Sequence, residues 1–245
     1  MVKNLNTTDQ GQSVRHGFRA GYLDQGANSV AIGPFAGQTS QAGQSIAIGI
    51  GAGADNQGQS SVAIGINSAV TNQYEQSVAI GNYAGNQNQN KNAVAIGSRA
   101  GFNEQKDNCI AIGYQAGYEN QNTASIAIGT GAGYTAAGIG SVSIGSNAGY
   151  SNIGDYSIAM GARGGFYSNN NTISLNASGD TLNAPTSNAF YVRPVRYVTE
   201  PSNVLVYNST TGEIQSSNSF VLTAPNGTRW AVSIDNSGNL TTSSI

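Results

Sequence analysis

The chain has 245 residues, and its composition departs from that of an ordinary globular domain: only 9% of the residues are charged and 33 are glycine. The formal net charge of −2 and the lack of a basic patch exclude electrostatic attraction to nucleic acids or anionic membranes. No stretch approaches the roughly 18 apolar residues of a membrane-spanning helix. We therefore expect neither a nucleic-acid partner nor membrane insertion.

The N-terminal residues 1–12 are predicted to form a polar arm. They lack the apolar core of a secretory leader, so an extracellular location would require another route of release, such as assembly in a cytoplasm followed by lysis.

A five-residue motif, Ser-[Val/Ile]-Ala-Ile-Gly, then recurs at intervals of sixteen residues. Its copies begin at Ser29, Ser45, Ser61, Ser77, Ala93, Cys109, Ser125, Ser141 and Ser157. A degraded copy precedes them at residues 13–17, and a copy shifted by one residue follows at 172–176. The spacing predicts one repeat domain over residues 13–176.

Each copy carries the signals of a short strand followed by turns. Large aliphatic residues alternate with alanine, as in a strand, and the glycine after them suits a corner with positive φ or a close backbone approach. An Ala-Gly pair three residues later marks a second bend. Two or three glycines per copy and the lack of a 3.6-residue period argue against helices. The fold class predicted is all-β, a parallel β-solenoid of about ten to eleven sixteen-residue rungs.

The second aliphatic residue of the motif is predicted to form a structural ladder inside the roll. Its members are Ile32, Ile48, Ile64, Ile80, Ile96, Ile112, Ile128, Ile144 and Met160. Truncating Ile80 or Ile96 to alanine is then expected to cost about 2–5 kcal/mol. The intervening Ala79 and Ala95 are expected to face outward and to form part of a smooth apolar stripe.

Aromatic residues follow the Ala-Gly pair on five successive rungs, as Phe102, Tyr118, Tyr134, Tyr150 and Phe166. The favoured interpretation is a packing ladder along one edge of the solenoid. The alternative is an exposed aromatic stripe that binds sugar rings.

The sequence supplies no recognisable catalytic set, metal site or cofactor motif. His16, the single histidine, replaces an isoleucine of the ladder at the open end, where polar capping is needed. Cys109 occupies a serine position and is expected to be a small packed residue. The remaining enzymatic hypothesis is a carboxylate pair across a groove, as in a polysaccharide-degrading enzyme.

Residues 177–219 are predicted to form an exit loop and a β-hairpin. The hairpin strand begins at Val204, and its turn is residues 209–212. A β-meander is predicted over 220–245, with turns at residues 225–227 and 236–238.

The Ser-Val-Ala-Ile-Gly copies resemble the head repeats of YadA-type trimeric adhesins. That resemblance implies a left-handed parallel β-roll and a homotrimer of chains packed side by side, which would bury the alanine stripe. The rung is longer than is typical of that family, and we expect neither the coiled-coil stalk nor the membrane anchor of an autotransporter. Long-rung repeats and the C-terminal segments resemble those of structural proteins in tailed phages and large DNA viruses.

The resulting prediction is a non-enzymatic viral structural protein, present in the virion as a fibre, spike or capsid-associated component and assembled in the host cytoplasm. Its expected partners are other virion proteins and a host surface glycan or receptor. The alternative is a bacterial surface adhesin or a carbohydrate-binding protein.

Overall fold

The computed structural model describes residues 12–195, 204–208, 210–217, 220–235 and 237–244. The chain divides into two compact units, residues 1–194 and residues 195–245. Strands and turns account for all regular structure in these ranges, and none of the described residues forms a helix able to cross a bilayer. Except for Gln12, the predicted polar arm lies outside the described residues.

The first unit contains a parallel sheet of twelve strands, called here the first sheet, with one strand from each rung stacked in chain order. Its strands are Val14–His16, Val30–Ile32, Ile46–Ile48, Val62–Ile64, Val78–Ile80, Val94–Ile96, Ile110–Ile112, Ile126–Ile128, Val142–Ile144, Ile158–Met160, Thr172–Asn176 and Ala189–Arg193.

A parallel sheet of ten strands, the second sheet, forms the other wall of the roll and follows the same stacking order. Its strands are Thr39–Gln41, Asp55–Gln57, Thr71–Gln73, Gln87–Gln89, Asn103–Gln105, Glu119–Gln121, Thr135–Ala137, Ser151–Ile153, Gly164–Ser168 and Leu182–Ala184. The predicted all-β parallel solenoid of about eleven sixteen-residue turns is therefore confirmed.

The register between rungs follows the sequence period. Val78 pairs with Val94, sixteen residues on, and the same offset holds along most of the first sheet. Near the end, Ile158 pairs with Ile173 and Ile173 pairs with Phe190, so these two rungs have fifteen and seventeen residues. Parallel pairing thus continues to Arg193, and the predicted exit loop at 177–187 includes a strand of the second sheet.

The motif glycine turns the chain at the end of each first-sheet strand, as the sequence predicts. Gly81 has φ of +133°, and a Cβ atom placed on it would lie 2.6 Å from the carbonyl oxygen of Gly97 on the next rung. Both the left-handed backbone and the close approach exclude a side chain here.

The interior of the roll is lined by small side chains. The alanine column occupies the central position of the first-sheet strands, where its members are fully buried or nearly so. These are Ala31, Ala47, Ala63, Ala79, Ala95, Ala111, Ala127, Ser143 and Ala159. The chain that faces this column is close, since a Cβ atom on Gly85, in the turn between the two sheets, would lie 3.1 Å from the Cβ of Ala79.

One glutamine per rung is also buried in the interior over six rungs. This glutamine column consists of Gln41, Gln57, Gln73, Gln89, Gln105 and Gln121. The Nε2 of Gln89 donates to the Val78 carbonyl at 2.9 Å and to Oε1 of Gln105 at 3.1 Å. Since buried amides need partners, this repeated pattern makes a polar interior tolerable. Beyond Gln121 the column becomes apolar, as Ala137 and Ile153.

The second unit contains antiparallel strands. Val204–Asn208 pairs with Glu213–Ser217, and the Gly212 N–H donates to the Asn208 carbonyl at 2.8 Å. A three-stranded sheet follows, built from Phe220–Thr223, Arg229–Ile234 and Leu240–Ser244. These strands lie in the segments for which the sequence predicts a hairpin and a meander, although Ser209 and Asn236 of the predicted turns lie outside the described residues.

Candidate functional surfaces

The large aliphatic residues of the motif face outward from the roll. They form two parallel columns on the outer face of the first sheet, called here the aliphatic columns. The first contains Val30, Ile46, Val62, Val78, Val94, Ile110, Ile126, Val142 and Ile158. The second contains Ile32, Ile48, Ile64, Ile80, Ile96, Ile112, Ile128, Ile144 and Met160.

The predicted facing of the strand is therefore wrong. Ile80 and Ile96 are each 36% exposed, whereas Ala79 and Ala95 are fully buried. The alternation itself was correct, but the inward position of the first-sheet strand has no room for isoleucine, because the glycine-bearing segment that faces it lies against the alanine side chains. The loss of stability of about 2–5 kcal/mol expected for truncating Ile80 or Ile96 assumed a buried side chain. It therefore does not apply to a single chain, in which both side chains are partly exposed.

The aliphatic columns continue past the regular repeats. The next strand adds Ile173 and Leu175, and the last strand adds Phe190 and Val192, all of them exposed. Twelve strands at about 4.8 Å spacing make this face about 50 Å long. A continuous apolar surface of this kind is typical of an interaction site.

The five aromatic residues singled out in the sequence form a continuous stack. Ring centroids are 4.9 Å apart from Phe102 to Tyr118 and from Tyr118 to Tyr134, then 4.8 Å to Tyr150 and 5.1 Å to Phe166. Adjacent ring planes differ by 5–16°. Each ring is half-buried, and each of the three tyrosines has a ring of the stack on both faces, so its edge is the part that meets solvent. This geometry favours packing, since a bound sugar would need a free ring face.

An ion pair joins two rungs at another corner of the roll. The Lys91 Nζ lies 3.0 Å from a Glu75 carboxylate oxygen, and both side chains are exposed. The hydrogen bond from Lys91 lowers the pKa of Glu75 below its ordinary value. Gln59, Ser60 and Gln76 complete a shallow open depression around the pair. Its charges are already paired with each other, which favours a structural role.

The histidine and the cysteine are far apart in the roll. His16 ends the first strand and is exposed, on the outward column rather than at the predicted interior position. Cys109 is fully buried, with its Sγ 2.9 Å from the Asn122 carbonyl oxygen. Burial raises the pKa of this thiol, which disfavours the nucleophilic thiolate. No group of three or more His, Cys, Asp or Glu side chains able to hold a metal occurs among the described residues.

The glutamine column is the feature that the sequence interpretation missed. Its signal is present, since a glutamine recurs every sixteen residues from Gln41 to Gln121. The glutamine lies among other polar residues of the kind that form turns, which conceals the fact that it points inward.

Comparison with known protein families finds the YadA head domain repeat, in two copies over residues 57–84. These residues span parts of successive rungs that have the same backbone pairing as their neighbours. No curated protein and no solved structure matches the chain. The match supports a YadA-like β-roll, and it gives no support to the predicted origin in a virus.

Proposed function

We propose that this chain is a non-catalytic, head-like segment of a homotrimeric surface fibre of the adhesin type. Its role is to form a stiff rod that holds an attachment surface away from the body that carries it. The observation that carries this proposal is the pair of outward-facing aliphatic columns along the first sheet.

The aliphatic columns support association between identical chains. Valine, isoleucine and methionine side chains recur in register on every regular rung, so one copy presents the same surface at each level. Burying such a side chain contributes about 1.5–3 kcal/mol when it is fully removed from water. Partly exposed columns repeated over about ten rungs therefore provide a large driving force for side-by-side packing.

A closed symmetric assembly accounts best for a surface of this shape. Side-by-side packing of parallel rods around a rotation axis covers the aliphatic columns of every copy, and closed symmetry is the norm for homo-oligomers. The match to the YadA head repeat, a repeat of trimeric adhesins, favours an assembly of three copies. The second sheet and its polar corners would remain on the outside of such a trimer.

The polar outer surface favours attachment through hydrogen bonds rather than through an apolar groove. Asn56, which is exposed, and Asn72 and Asn88, which are half-buried, form a column in which each amide bonds the next, at 3.2 and 3.0 Å. Surface glycans present complementary hydroxyl groups, so a glycan or glycosylated receptor is the partner class proposed. Placement of the fibre on a virus particle is a narrower form of this proposal and rests only on the sequence resemblance.

Localisation tests the proposed function. Gold-labelled antibodies against the repeat domain should decorate the outside of intact producing cells or of purified particles in electron micrographs. Label on cells but not particles would select the bacterial adhesin, and label on particles would select the viral form. Protein found solely in the interior of intact cells, with neither surface labelled, would contradict a surface fibre.

Attachment can be tested with matched variants on one rung. Ile80→Lys places a charge on the aliphatic columns, and Gln87→Lys places the same charge on the exposed outer face of the second sheet. Cells or particles displaying Ile80→Lys should lose binding to their target surface because the fibre no longer assembles. Equal binding by the two variants would show that assembly through the aliphatic columns is not needed.

A further inference from the structure

The aromatic stack contains three successive tyrosines flanked by phenylalanines. Tyr118, Tyr134 and Tyr150 stand on adjacent rungs, with centroids 4.9 and 4.8 Å apart and ring planes within 8° of parallel. The strands that follow them pair in register, Glu119 with Thr135 and Thr135 with Ser151. The backbone therefore holds three phenol rings in contact and in the same orientation.

We propose that Tyr118, Tyr134 and Tyr150 form a site of oxidative dityrosine cross-linking, in which a carbon–carbon bond joins the phenol rings of two successive rungs. The ring faces cover one another and the ring edges meet solvent, so a one-electron oxidant reaches the phenols while each phenol has a reaction partner beside it. Phe102 and Phe166 lack the hydroxyl group and end the reactive segment on both sides.

The chemistry requires an external oxidant of the peroxidase and hydrogen peroxide class. Each of two phenols loses one electron and one proton, which gives two phenoxyl radicals with spin density on the carbons beside the oxygen-bearing carbon. These two carbons form a bond, and the proton on each then moves to its oxygen, which restores two phenols. One hydrogen peroxide takes up the two electrons and two protons and yields two waters.

The stack makes this coupling intramolecular. The reacting rings belong to residues sixteen apart in sequence but lie on neighbouring rungs, so the bond ties one turn of the solenoid to the next. Tyr134 is the required partner, because Tyr118 and Tyr150 lie two rungs apart and have Tyr134 between them. A cross-linked roll should resist separation of these rungs and should unfold at a higher temperature.

The test is oxidation of the dilute full-length protein with a peroxidase and limiting hydrogen peroxide. The expected result is dityrosine fluorescence with the mass of an intact single chain less two hydrogens. Peptide mapping by mass spectrometry should place the link at Tyr118–Tyr134 or Tyr134–Tyr150. The same treatment in denaturant should lose this preference, because the stack no longer holds the rings together.

Two matched variants decide whether the stack is responsible. Tyr134→Phe keeps an aromatic ring in the stack and should abolish the mapped intrachain link. Tyr167→Phe removes an exposed tyrosine that forms no part of the stack and should leave the link unchanged. Links that map mainly to Tyr156 or Tyr207, or an undiminished intrachain yield in Tyr134→Phe, would overturn the proposal.

Discussion

The inside and the outside of the first sheet differ in a way that reverses the usual arrangement of a globular domain. Within one strand, Ala79 is fully buried inside the roll, while Val78 and Ile80 face outward. From Gln41 to Gln121 the interior is made mainly of alanine, serine and one glutamine amide per rung, and the exterior carries the large aliphatic groups. The difference shows that a single roll is held by close packing and hydrogen bonds, whereas its main apolar surface lies on the outside, where the proposed trimer would cover it.

The contrast has an energetic basis. An alanine buries far less apolar surface than an isoleucine, so the interior gains little per residue from the hydrophobic effect. The glutamine column compensates for this small hydrophobic gain through hydrogen bonds. The Nε2 group of each of its glutamines donates to a backbone carbonyl inside the roll, and each bond contributes about 0.5–1.5 kcal/mol net. Four experiments test this account of the roll, from the largest expected effect to the smallest.

An aspartate at each of two adjacent positions should give opposite results. Ala79→Asp puts an unpaired charge into a space that holds only a methyl group, and we expect a loss of more than about 5 kcal/mol, which prevents folding. Ile80→Asp leaves the interior intact, so circular dichroism should still report a folded β-structure while assembly is lost. A folded Ala79→Asp protein together with an unfolded Ile80→Asp protein would reverse the assignment of the two faces.

Replacing one glutamine of the column by glutamate should make stability depend on pH. The carboxylate of Gln89→Glu cannot donate to the Val78 carbonyl or to Gln105, and burial without a partner charge is expected to cost about 3–5 kcal/mol at neutral pH. The pKa of the new group is raised in the folded state, so folding takes up a proton.

The Gln89→Glu variant should accordingly recover stability as pH falls through that raised pKa, and the recovery should be complete below the unfolded value of about 4.3. Urea unfolding at several pH values measures this trend relative to the parent protein. If the difference in the free energy of unfolding between the variant and the parent protein did not change with pH, position 89 would be open to solvent.

A methyl group on the motif glycine should disturb the rung spacing. Gly81→Ala places a Cβ atom 2.6 Å from the Gly97 carbonyl oxygen and forces alanine to φ of +133°, so we expect a loss of about 2–4 kcal/mol. Gly179→Ala is the matched control, since φ is +80° there and no atom lies within 4 Å. Equal thermal shifts for the two variants would mean that the close approach between rungs contributes nothing.

The exposed ion pair should contribute least. Lys91→Ala is expected to leave the melting temperature at neutral pH unchanged within error, because both partners are solvated. The variant should raise the pKa of Glu75, as measured by NMR titration, because the hydrogen bond from Lys91 lowers it. Any stabilisation from the pair is present above the unfolded pKa of Glu75 and is lost as pH falls through the lowered folded value. A clear drop in melting temperature would indicate a larger role for this corner.

The rung architecture could be predicted from the sequence because it depends on spacing. A motif repeated every sixteen residues allows equivalent residues to pair, and the glycine after each strand marks the corner that Gly81 confirms. The facing of the strand could not be obtained in the same way. Alternation fixes that Ala79 and Ile80 point to opposite sides, but the side that is inside depends on the distance to the opposite wall.

The last two rungs show a second limit of the repeat pattern. Once a loop loses or gains a residue, the motif is no longer in register, although Ile173 and Phe190 still pair in the same sheet. Backbone hydrogen bonding along the open edge of a sheet tolerates changes of loop length that conceal the repeat in the sequence. The aromatic stack was easier to predict, because its five residues keep the sixteen-residue spacing.

The mass of the native protein tests the central claim, that the aliphatic columns are an interface between identical chains, most directly. Native mass spectrometry at micromolar concentration should give three times the chain mass of 25.0 kDa for the parent protein. The Gln87→Lys variant should keep that mass, and the Ile80→Lys variant should give a single chain. A parent protein that remains a folded single chain of 25.0 kDa under these conditions would contradict the account.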